Sequence, residues 1–235
     1  MYCVIGIDIG TSGTKTVAVD EAGQILASAT ASYPLYQDAN GFSEQRPQDW
    51  WTAVQQTLRQ VLRTVPKENV RGISFSGQMH GLVALDARGK VLRRAILWND
   101  QRTASQCRTL TQRAGGEDAL IAHTNNRMLT GYTAGKLLWV QEHEPSVYAQ
   151  IACVLNPKDY IRYCLTGERV TEVSDASGTG VFDVRHRRFD SAWLAQMGLN
   201  PALFPPCVES TQQTGCVSQE AAVATGLQPG TPVFG

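Results

Sequence analysis

Hydrophobic and polar positions in the first forty residues recur with the period of an extended chain. Residues 4–8 are an apolar run that ends in a carboxylate, and residues 16–20 alternate as a half-buried strand does. A turn with glycine at position 23 leads into a third strand, from residue 24 to about residue 30. Three short strands joined by turns that contain glycine predict an antiparallel meander.

The pattern then changes to a helical period and back. Pro47 stands where a helix begins, and apolar residues follow at helical spacing from Trp50 until Pro66 ends the run. Residues 70–76 predict another strand. Because a helix precedes it, we expect this strand to run parallel to one of the first three.

The remaining pattern predicts one hairpin, several helices and loops. The hairpin spans residues 82–86 and 90–98, and residues 231–235 begin a last strand. The order of strand, strand, strand, helix, strand and then helices predicts an α/β fold of the ribonuclease-H-like type, with a mixed sheet flanked by helices. Helices are predicted near residues 101–114, 131–144, 157–166, 191–197 and 219–225, and loops with short strands over residues 170–190.

Composition and charge narrow the classes of function. The 235 residues are 43% hydrophobic, and 21 basic residues balance 21 acidic ones, which gives no support for a surface that binds nucleic acid or a membrane. No apolar run approaches the ~20 residues of a transmembrane helix, and the N-terminus lacks the basic segment of a signal peptide. We therefore expect a cytoplasmic protein whose six widely spaced cysteines are free thiols.

Residues 8–15, Asp-Ile-Gly-Thr-Ser-Gly-Thr-Lys, are the first candidate for chemistry. The carboxylate of Asp8 ends a strand, and the two glycines after it let backbone N–H groups face an anion. Two hydroxyls add donors and a lysine adds a positive charge. Asp8 would repel phosphate unless a cation lay between them, so the arrangement predicts Mg²⁺ held through water. The predicted phosphate-binding residues are Gly10, Thr11, Ser12, Gly13 and Lys15.

Residues 8–15 do not match two other well-known nucleotide-binding motifs. A Walker A loop requires glycine before the lysine and a helix after it, whereas Thr14 precedes Lys15 and residues 16–20 alternate like a strand. No G-x-G-x-x-G fingerprint is present either. A glycine-rich hairpin turn without a ligand is the remaining alternative, and the residues of the segment alone leave it open.

A second candidate site follows the strand at residues 70–76. Two glycines flank Gln78, Met79 and His80, where an α/β sheet presents ligand-binding loops and the backbone can approach a ligand closely. A neutral imidazole exchanges a hydrogen bond with a sugar hydroxyl, and methionine offers an adaptable apolar contact. The commoner alternative for His80 is a loop histidine with structural hydrogen bonds.

Polar residues also end a later predicted strand, at residues 98–102. Asn99 and Asp100 can hydrogen-bond hydroxyls or cap the helix that follows, and the spacing supports both roles equally. Asp175 is predicted to form a turn rather than to belong to a site. The tryptophans at helical spacing with aliphatic residues are expected to pack in the core: Trp50, Trp51 and Trp139.

These motifs together resemble a known family. Residues 8–15 resemble the first phosphate motif of the superfamily of actin, hexokinase and the chaperone ATPases, and within it the FGGY carbohydrate kinases. The chain is most similar to the bacterial xylulokinases of that family, and the resemblance spans its whole length. Further motifs stand in the family's order: Trp50-Trp51, S-G-Q-M-H-G at 76–81, W-N-D-Q-R at 98–102, K-L-L-W at 136–139, P-K-D-Y at 157–160 and T-G at 166–167.

The resemblance implies an actin-like ATPase domain and a reaction. That reaction is the ATP-dependent phosphorylation of a ketopentose, D-xylulose, to D-xylulose 5-phosphate, with ATP and Mg²⁺ as cofactors. In xylulokinases the matching Met-His pair contacts the ketose, which makes Met79 and His80 the expected sugar ligands. Gln78, Asn99 and Asp100 are secondary candidates.

The resemblance also implies which parts of the enzyme lie elsewhere. The family's catalytic base is an aspartate after a second glycine-rich run that would follow residue 235, and a second domain holds adenosine. We therefore expect residues 1–235 to be the N-terminal domain of a longer kinase, inactive alone, whose full-length form could be a homodimer. The alternatives are another FGGY kinase, for glycerol, gluconate, ribulose or fuculose, and a non-catalytic sugar-binding member. Glycerol kinases have Arg-Glu where this chain has Met79-His80.

Overall fold

A six-stranded mixed sheet forms the centre of the computed structural model, which describes residues 2–235. The strands are β1 Cys3–Ile9, β2 Gly13–Asp20, β3 Ile25–Ser32, β4 Tyr36–Gln37, β5 Ser43–Gln45, β6 Val70–Gly77, β7 Val83–Leu85, β8 Ala95–Ile96, β9 Cys153–Leu155, β10 Thr171–Glu172, β11 Phe182–Asp183, β12 Arg188–Phe189, β13 Cys207–Val208, β14 Gln213–Cys216 and β15 Pro232–Phe234. The helices are α1 Pro47–Val61, α2 Ala104–Arg113, α3 Glu117–Thr124, α4 Thr133–His143, α5 Pro145–Tyr148, α6 Pro157–Thr166, α7 Val173–Ser177, α8 Ser191–Gln196 and α9 Gln219–Thr225.

The central sheet has the strand order β14-β15-β6-β1-β2-β3. Strands β1, β2 and β3 pair antiparallel, and β6 lies parallel to β1 on its other side. The predicted meander, the parallel fourth strand and the mixed sheet flanked by helices are therefore confirmed. Strand β15, which the last five residues predict, extends the sheet beyond β6 as a parallel neighbour.

The structure has two apolar cores. The first lies mainly between the central sheet and α1, which begins at Pro47 as predicted. Alternate residues of β1 and the helical stripe of α1 meet there because their periods of two and 3.6 place the buried apolar side chains on one face. The second core joins α2, α3, α4 and α8 to β7 and β9. The first core includes Cys3, Ile5, Ile7, Ile9, Trp50, Val54, Leu58 and Val61.

The three tryptophans expected in the core differ in depth. Trp50 is fully buried, as predicted. Trp51 and Trp139 are half-buried at the edges of the first and second cores. The Trp139 ring also lies 4.7 Å from the guanidinium carbon of Arg102, so it packs on charged as well as apolar groups.

The predicted hairpin over residues 82–98 forms in part. The turn is present, with the Gly89 N–H donating to the Asp86 carbonyl at 3.0 Å. The isolated antiparallel bridges Leu82–Ile96 and Leu85–Val91 join its two sides. In addition, β7 pairs with the distant β9, and β8 pairs with β5, which the local pattern did not predict.

The predicted helices are confirmed, and three short α-helices among residues 2–235 were not predicted. These are α3, α5 and α7, the last of which lies in a segment predicted as loops and short strands. All six cysteines are free thiols. None of the helices formed by residues 2–235 has the length and apolar character needed to cross a membrane.

Candidate active site

The turn between β1 and β2, residues 10–13, is called the phosphate turn below. The Gly10 N–H donates to the Gly13 carbonyl at 3.0 Å, which closes the turn. A Cβ on Gly13 would lie 2.6 Å from the Ala31 carbonyl oxygen, so β3 passes too close for any side chain there. The Tyr33 hydroxyl donates to the Gly10 carbonyl, and burial raises the pKa of Tyr33 to about 12. The shape of the turn thus depends on glycine at position 13.

Asp8, Lys15 and Ser76 lie side by side on three neighbouring strands. Asp8 stands opposite Lys15 on β2 and opposite Ser76 on β6. The Ser76 hydroxyl donates to Asp8 Oδ1 at 2.6 Å, which orients the carboxylate. All three side chains line an open cleft of about 420 Å³. An oriented, accessible carboxylate oxygen is the kind of ligand that Mg²⁺ prefers, and the nearby ammonium group suits phosphate.

The two hydroxyls of the phosphate turn have different surroundings. Thr11 Oγ1 donates to Gln78 Oε1 at 3.3 Å and accepts from Trp98 Nε1 at 3.0 Å. Since a hydroxyl has one proton, that of Thr11 is shared with Gln78 in this structure, and its donation to phosphate stays a prediction. The Ser12 side chain is exposed and is the hydroxyl that faces solvent.

A buried network connects the phosphate turn to the loop at residues 78–81, called the sugar loop below. At its centre lies Gln45, whose amide nitrogen donates to the Thr11 carbonyl at 2.7 Å. Gln45 Oε1 accepts from Trp50 Nε1 at 3.0 Å and from Gln78 Nε2 at 2.9 Å. Sequence reasoning missed Gln45. Its only signal was its place in the S-E-Q segment before the paired tryptophans.

The backbone of the sugar loop is held by side chains from two other parts of the chain. His80 has a φ of 65°, which is uncommon for a residue with a side chain. Its carbonyl accepts from Lys136 Nζ at 2.7 Å and from Thr133 Oγ1 at 3.2 Å, both on α4. The next carbonyl, of Gly81, accepts from Asn156 Nδ2 at 3.1 Å. The left-handed conformation is therefore stabilised from outside the loop.

The His80 imidazole packs tightly between two neighbours. Its ring meets the Tyr132 ring edge-on with 4.7 Å between centroids, and a Cβ on Gly178 would lie 2.3 Å from it. The Nδ1 atom is buried without a hydrogen-bond partner among the described residues. Burial, aided by the positive charge of Lys136, lowers the pKa of His80 to about 4. The imidazole is thus neutral at pH 7 and able to exchange one hydrogen bond with a ligand.

Met79 and Asp175 line a second cleft, of about 260 Å³, between the end of β6 and α7. Met79 is 52% exposed, so its thioether is available for an apolar contact. Asp175 was predicted to form a turn, but it lies inside α7. Its side chain is 11% exposed, and its Oδ2 atom is buried without a hydrogen bond.

The pKa of the Asp175 carboxyl is raised above its ordinary value, as expected for a buried carboxyl near another one. Burial and the nearby carboxylate of Asp159 raise its pKa to about 7, although the Lys158 ammonium lies 3.7 Å from Oδ2. Lys158 is closer to Glu172, at 3.0 Å, and lowers the pKa of that carboxyl. Asp175 is therefore the carboxylate of this cluster that lines the cleft and has a buried oxygen without a hydrogen bond. Local turn propensity could not reveal it, because its neighbours come from α6 and β10.

Asp100 and Asn99, the secondary candidates that follow β8, differ in their hydrogen bonds. Asp100 is fully buried and forms an ion pair with Arg102, 2.7 Å between Oδ2 and NH2. Its carboxylate also accepts the backbone N–H groups of Ser43 at 2.6 Å and Arg102 at 3.0 Å. The predicted cap on the following helix is wrong, because α2 begins after Thr103 and no side chain caps it. The contacts of Asp100 are structural, and its contact with sugar stays a prediction. The Asn99 Oδ1 atom is buried without a partner among residues 2–235, so Asn99 stays a candidate.

A separate group of metal-ligating side chains lies on α3, β11 and the start of α8. The ligand atoms of His123, Asp183 and Asp190 all lie within 4.8 Å of one another. Asp183 already binds His186, 2.7 Å from Oδ2 to Nδ1, and Asp190 caps α8 through Oδ1. These contacts give both carboxylates structural roles.

Comparison with known proteins gives a consistent result. Residues 3–235 match the N-terminal domain of the FGGY family of carbohydrate kinases. The chain is 44% identical to the xylulose kinase of Bacillus subtilis over 239 residues, which covers 100% of this chain and 47% of that protein. It thus spans about half the length of the curated relatives it matches.

Solved structures agree in fold over the whole chain. A xylulose kinase from Rhodospirillum rubrum has a TM-score of 0.93 at 33% identity and covers 99% of this chain and 48% of its own. A kinase from Brucella ovis, described as a xyloylose kinase, has a TM-score of 0.92 at 37% identity, with 100% and 48% covered. These matches confirm the predicted fold class.

Proposed function

We propose that this chain, which belongs to the FGGY family of carbohydrate kinases, is the sugar- and phosphate-binding domain of a kinase that transfers the γ-phosphoryl group of ATP to D-xylulose. One observation carries the proposal: the phosphate turn and the sugar loop meet through the hydrogen bond between Thr11 and Gln78. A phosphoryl transfer needs donor and acceptor held together in line. The named relatives, which are xylulose kinases, support the choice of sugar.

In this proposal the sugar is held from the side of the sugar loop. The neutral His80 imidazole exchanges a hydrogen bond with one hydroxyl, and Met79 packs against the carbon chain. The free Oδ2 of Asp175 accepts from a further hydroxyl, because an unused buried acceptor is satisfied by a polyol donor. Gln78 acts through Thr11 and Gln45 and sets the distance between the sugar loop and the phosphate turn.

The nucleotide phosphates are held from the side of the phosphate turn. The backbone N–H groups of the phosphate turn that do not close it, together with the Ser12 hydroxyl, donate to phosphate oxygens, and Lys15 neutralises part of their charge. Asp8 would hold Mg²⁺ through water. That ion supplies charge neutralisation of the ATP phosphates when bound. The hydrogen bond from Ser76 keeps the Asp8 carboxylate turned toward the cleft.

We propose that a second domain of the whole protein supplies the adenosine site and the aspartate that removes the proton from the attacked hydroxyl. The length of the relatives, about twice that of this chain, supports this division. We therefore expect the 235-residue chain to lack turnover. Steady phosphorylation of D-xylulose with MgATP by the purified chain would contradict this expectation.

A substrate panel on the whole protein tests the proposed activity. We expect the highest kcat/KM with D-xylulose among D-xylulose, D-ribulose, gluconate, L-fuculose and glycerol in a coupled ADP-release assay. A preference for another member of the panel would make the protein a different FGGY kinase. Binding of D-xylulose without turnover of any sugar would favour the non-catalytic alternative.

A further inference from the structure

Lys136 is a charged side chain in a place where charge is costly. It lies on α4, is fully buried, and forms no ion pair within the part of the chain that the structure describes. Burial lowers its pKa to about 7. Burying an ammonium group costs several kcal/mol unless hydrogen bonds compensate it. An apolar residue of similar length would fill the same space at a lower free-energy cost, so we looked for a role that requires the ammonium group.

The hydrogen bonds of Lys136 suggest that role. Nζ donates to the His80 carbonyl at 2.7 Å and to the Gly131 carbonyl at 2.5 Å. His80 has the left-handed backbone described above, and Gly131 precedes Tyr132, whose ring packs against the His80 imidazole. One ammonium group therefore ties the backbone of His80 to the segment that supports its ring.

The charge of Lys136 acts on the same imidazole. Among the charged groups, it is the one whose repulsion adds to burial in lowering the pKa of His80. The other groups against the ring, Tyr132 and Gly178, carry no charge at neutral pH. The charged or titratable groups that also affect the pKa of Lys136 are Asp100 and Cys107, which raise it, and Arg102, which lowers it.

We propose that Lys136 is a positioning residue for the sugar loop, whose hydrogen bonds to the His80 and Gly131 carbonyls fix the left-handed backbone of His80 and so determine where its ring lies. Its charge adds to burial in lowering the pKa of the imidazole. A shift of that pKa therefore reports whether Lys136 lies against the ring. The consequence for sugar binding rests on the proposed function, but the effect on His80 does not.

The test compares two substitutions on α4 that touch the same carbonyl. Lys136→Met removes the charge and both hydrogen bonds while keeping the length of the side chain. Thr133→Val removes the other hydrogen bond to the His80 carbonyl and leaves the charge in place. The pKa of His80 is measured in each chain by NMR titration of its ring, with the signal assigned by its loss in His80→Gln.

We expect the His80 pKa to rise by about one pH unit in Lys136→Met, because a neighbouring like charge is removed, and to stay unchanged in Thr133→Val. We expect the dissociation constant for D-xylulose, from calorimetry at pH 6, below the Lys136 pKa of about 7, to rise about tenfold in Lys136→Met through loss of charge-assisted hydrogen bonds that hold the loop. A residue with only a packing role would leave the titration of His80 where it was.

A second variant covers failure of the first to fold. Lys136→Gln removes the charge but keeps an amide that can donate to the two carbonyls, so the His80 pKa still rises while D-xylulose affinity falls less. An unchanged His80 pKa in either folded Lys136 variant overturns the proposal. So does a His80 pKa at or above its ordinary value of about 6.5 in the unsubstituted chain. Absence of D-xylulose binding to that chain would count against the proposed function alone, since the titration needs no sugar.

Discussion

The phosphate turn and the sugar loop are neighbours that are held by opposite means. The phosphate turn depends on the absence of a side chain at Gly13, which leaves room for the Ala31 carbonyl of β3. The sugar loop is shaped by side chains from elsewhere, with Lys136 and Asn156 bound to its carbonyls. The first depends on a glycine within the turn and on the nearby strand β3, and the second on side chains more than fifty positions away.

The difference shows where each kind of substitution acts. A change in the phosphate turn alters the distance between strands of the central sheet, so it acts first on the stability of the fold. We expect a change in the supports of the sugar loop to act first on the position of His80 and Met79, and hence on ligand affinity. The two regions share one element, the network around Gln45, which contacts both.

The largest expected effect is that of Gly13→Ala. The added Cβ would lie 2.6 Å from the Ala31 carbonyl oxygen and 3.1 Å from Ser32 Cα, which are backbone atoms that cannot turn aside. We expect the free energy of unfolding, from urea denaturation, to fall by about 3 kcal/mol, as overpacking does. Gly6→Ala on β1 is the control, because its Cβ meets Val17 Cγ2 at an ordinary 3.4 Å. Equal stability of the two variants would show that β3 yields, and the turn would not depend on glycine.

The shared network is tested next, with Gln45→Leu. This substitution leaves the buried Trp50 Nε1 and Gln78 Nε2 donors without their acceptor. We expect a loss of about 2 kcal/mol in the free energy of unfolding, since unsatisfied buried donors cost that order of energy. The exposed Gln48→Leu on α1 serves as the matched change, and we expect it to have little effect. Loss of stability without loss of D-xylulose affinity would show that the Gln45 network does not position the sugar loop for binding.

His80→Ala tests whether the sugar loop acts on affinity rather than on stability. We expect the dissociation constant for D-xylulose to rise about tenfold, which corresponds to about 1.4 kcal/mol for a lost hydrogen bond and ring contact. His143→Ala, an exposed histidine at the end of α4, provides the comparison. If both variants bind D-xylulose as the unsubstituted chain does, His80 has only a loop role.

The smallest effect is expected for Asp175→Asn, and it depends on pH. Because the pKa of Asp175 is raised to about 7, the carboxyl is ionised at pH 8 and protonated at pH 6. We expect calorimetry to show about threefold weaker D-xylulose binding by the variant at pH 8, where an ionised acceptor is lost, and a much smaller difference at pH 6. His80, whose pKa is about 4, stays neutral over this range. A difference that does not change with pH would remove Asp175 from sugar binding.

The same raised pKa has a consequence for stability with a definite sign. A carboxyl whose pKa is raised by folding contributes stability below its unfolded pKa and loses that contribution as pH rises through about 7. Asp175→Asn removes this dependence. We expect its stability relative to the unsubstituted chain to improve from pH 6 to pH 8 in thermal denaturation, and a constant difference would contradict the assignment.

The order of residues along the chain determined the local features. The meander, the start of α1 at Pro47 and the glycines of the phosphate turn were predicted because each depends on the period or the backbone freedom of adjacent residues. The family resemblance selected Met79 and His80 from a loop that its own residues left ambiguous. These two still await the experiments above.

Only the tertiary structure decided which polar groups remain free. Thr11 donates to Gln78, 67 positions away, and Asp100 accepts from the backbone of Ser43, 57 positions away. Asp175 lines the cleft and has an oxygen without a hydrogen bond, and Lys136 on α4 donates to the His80 carbonyl. Sequence periodicity places a side chain on a face of its own strand or helix, but it does not say what arrives at that face from another element. The glycines could therefore be predicted from the sequence, whereas the side chains that hold the sugar loop could be assigned only from the folded chain.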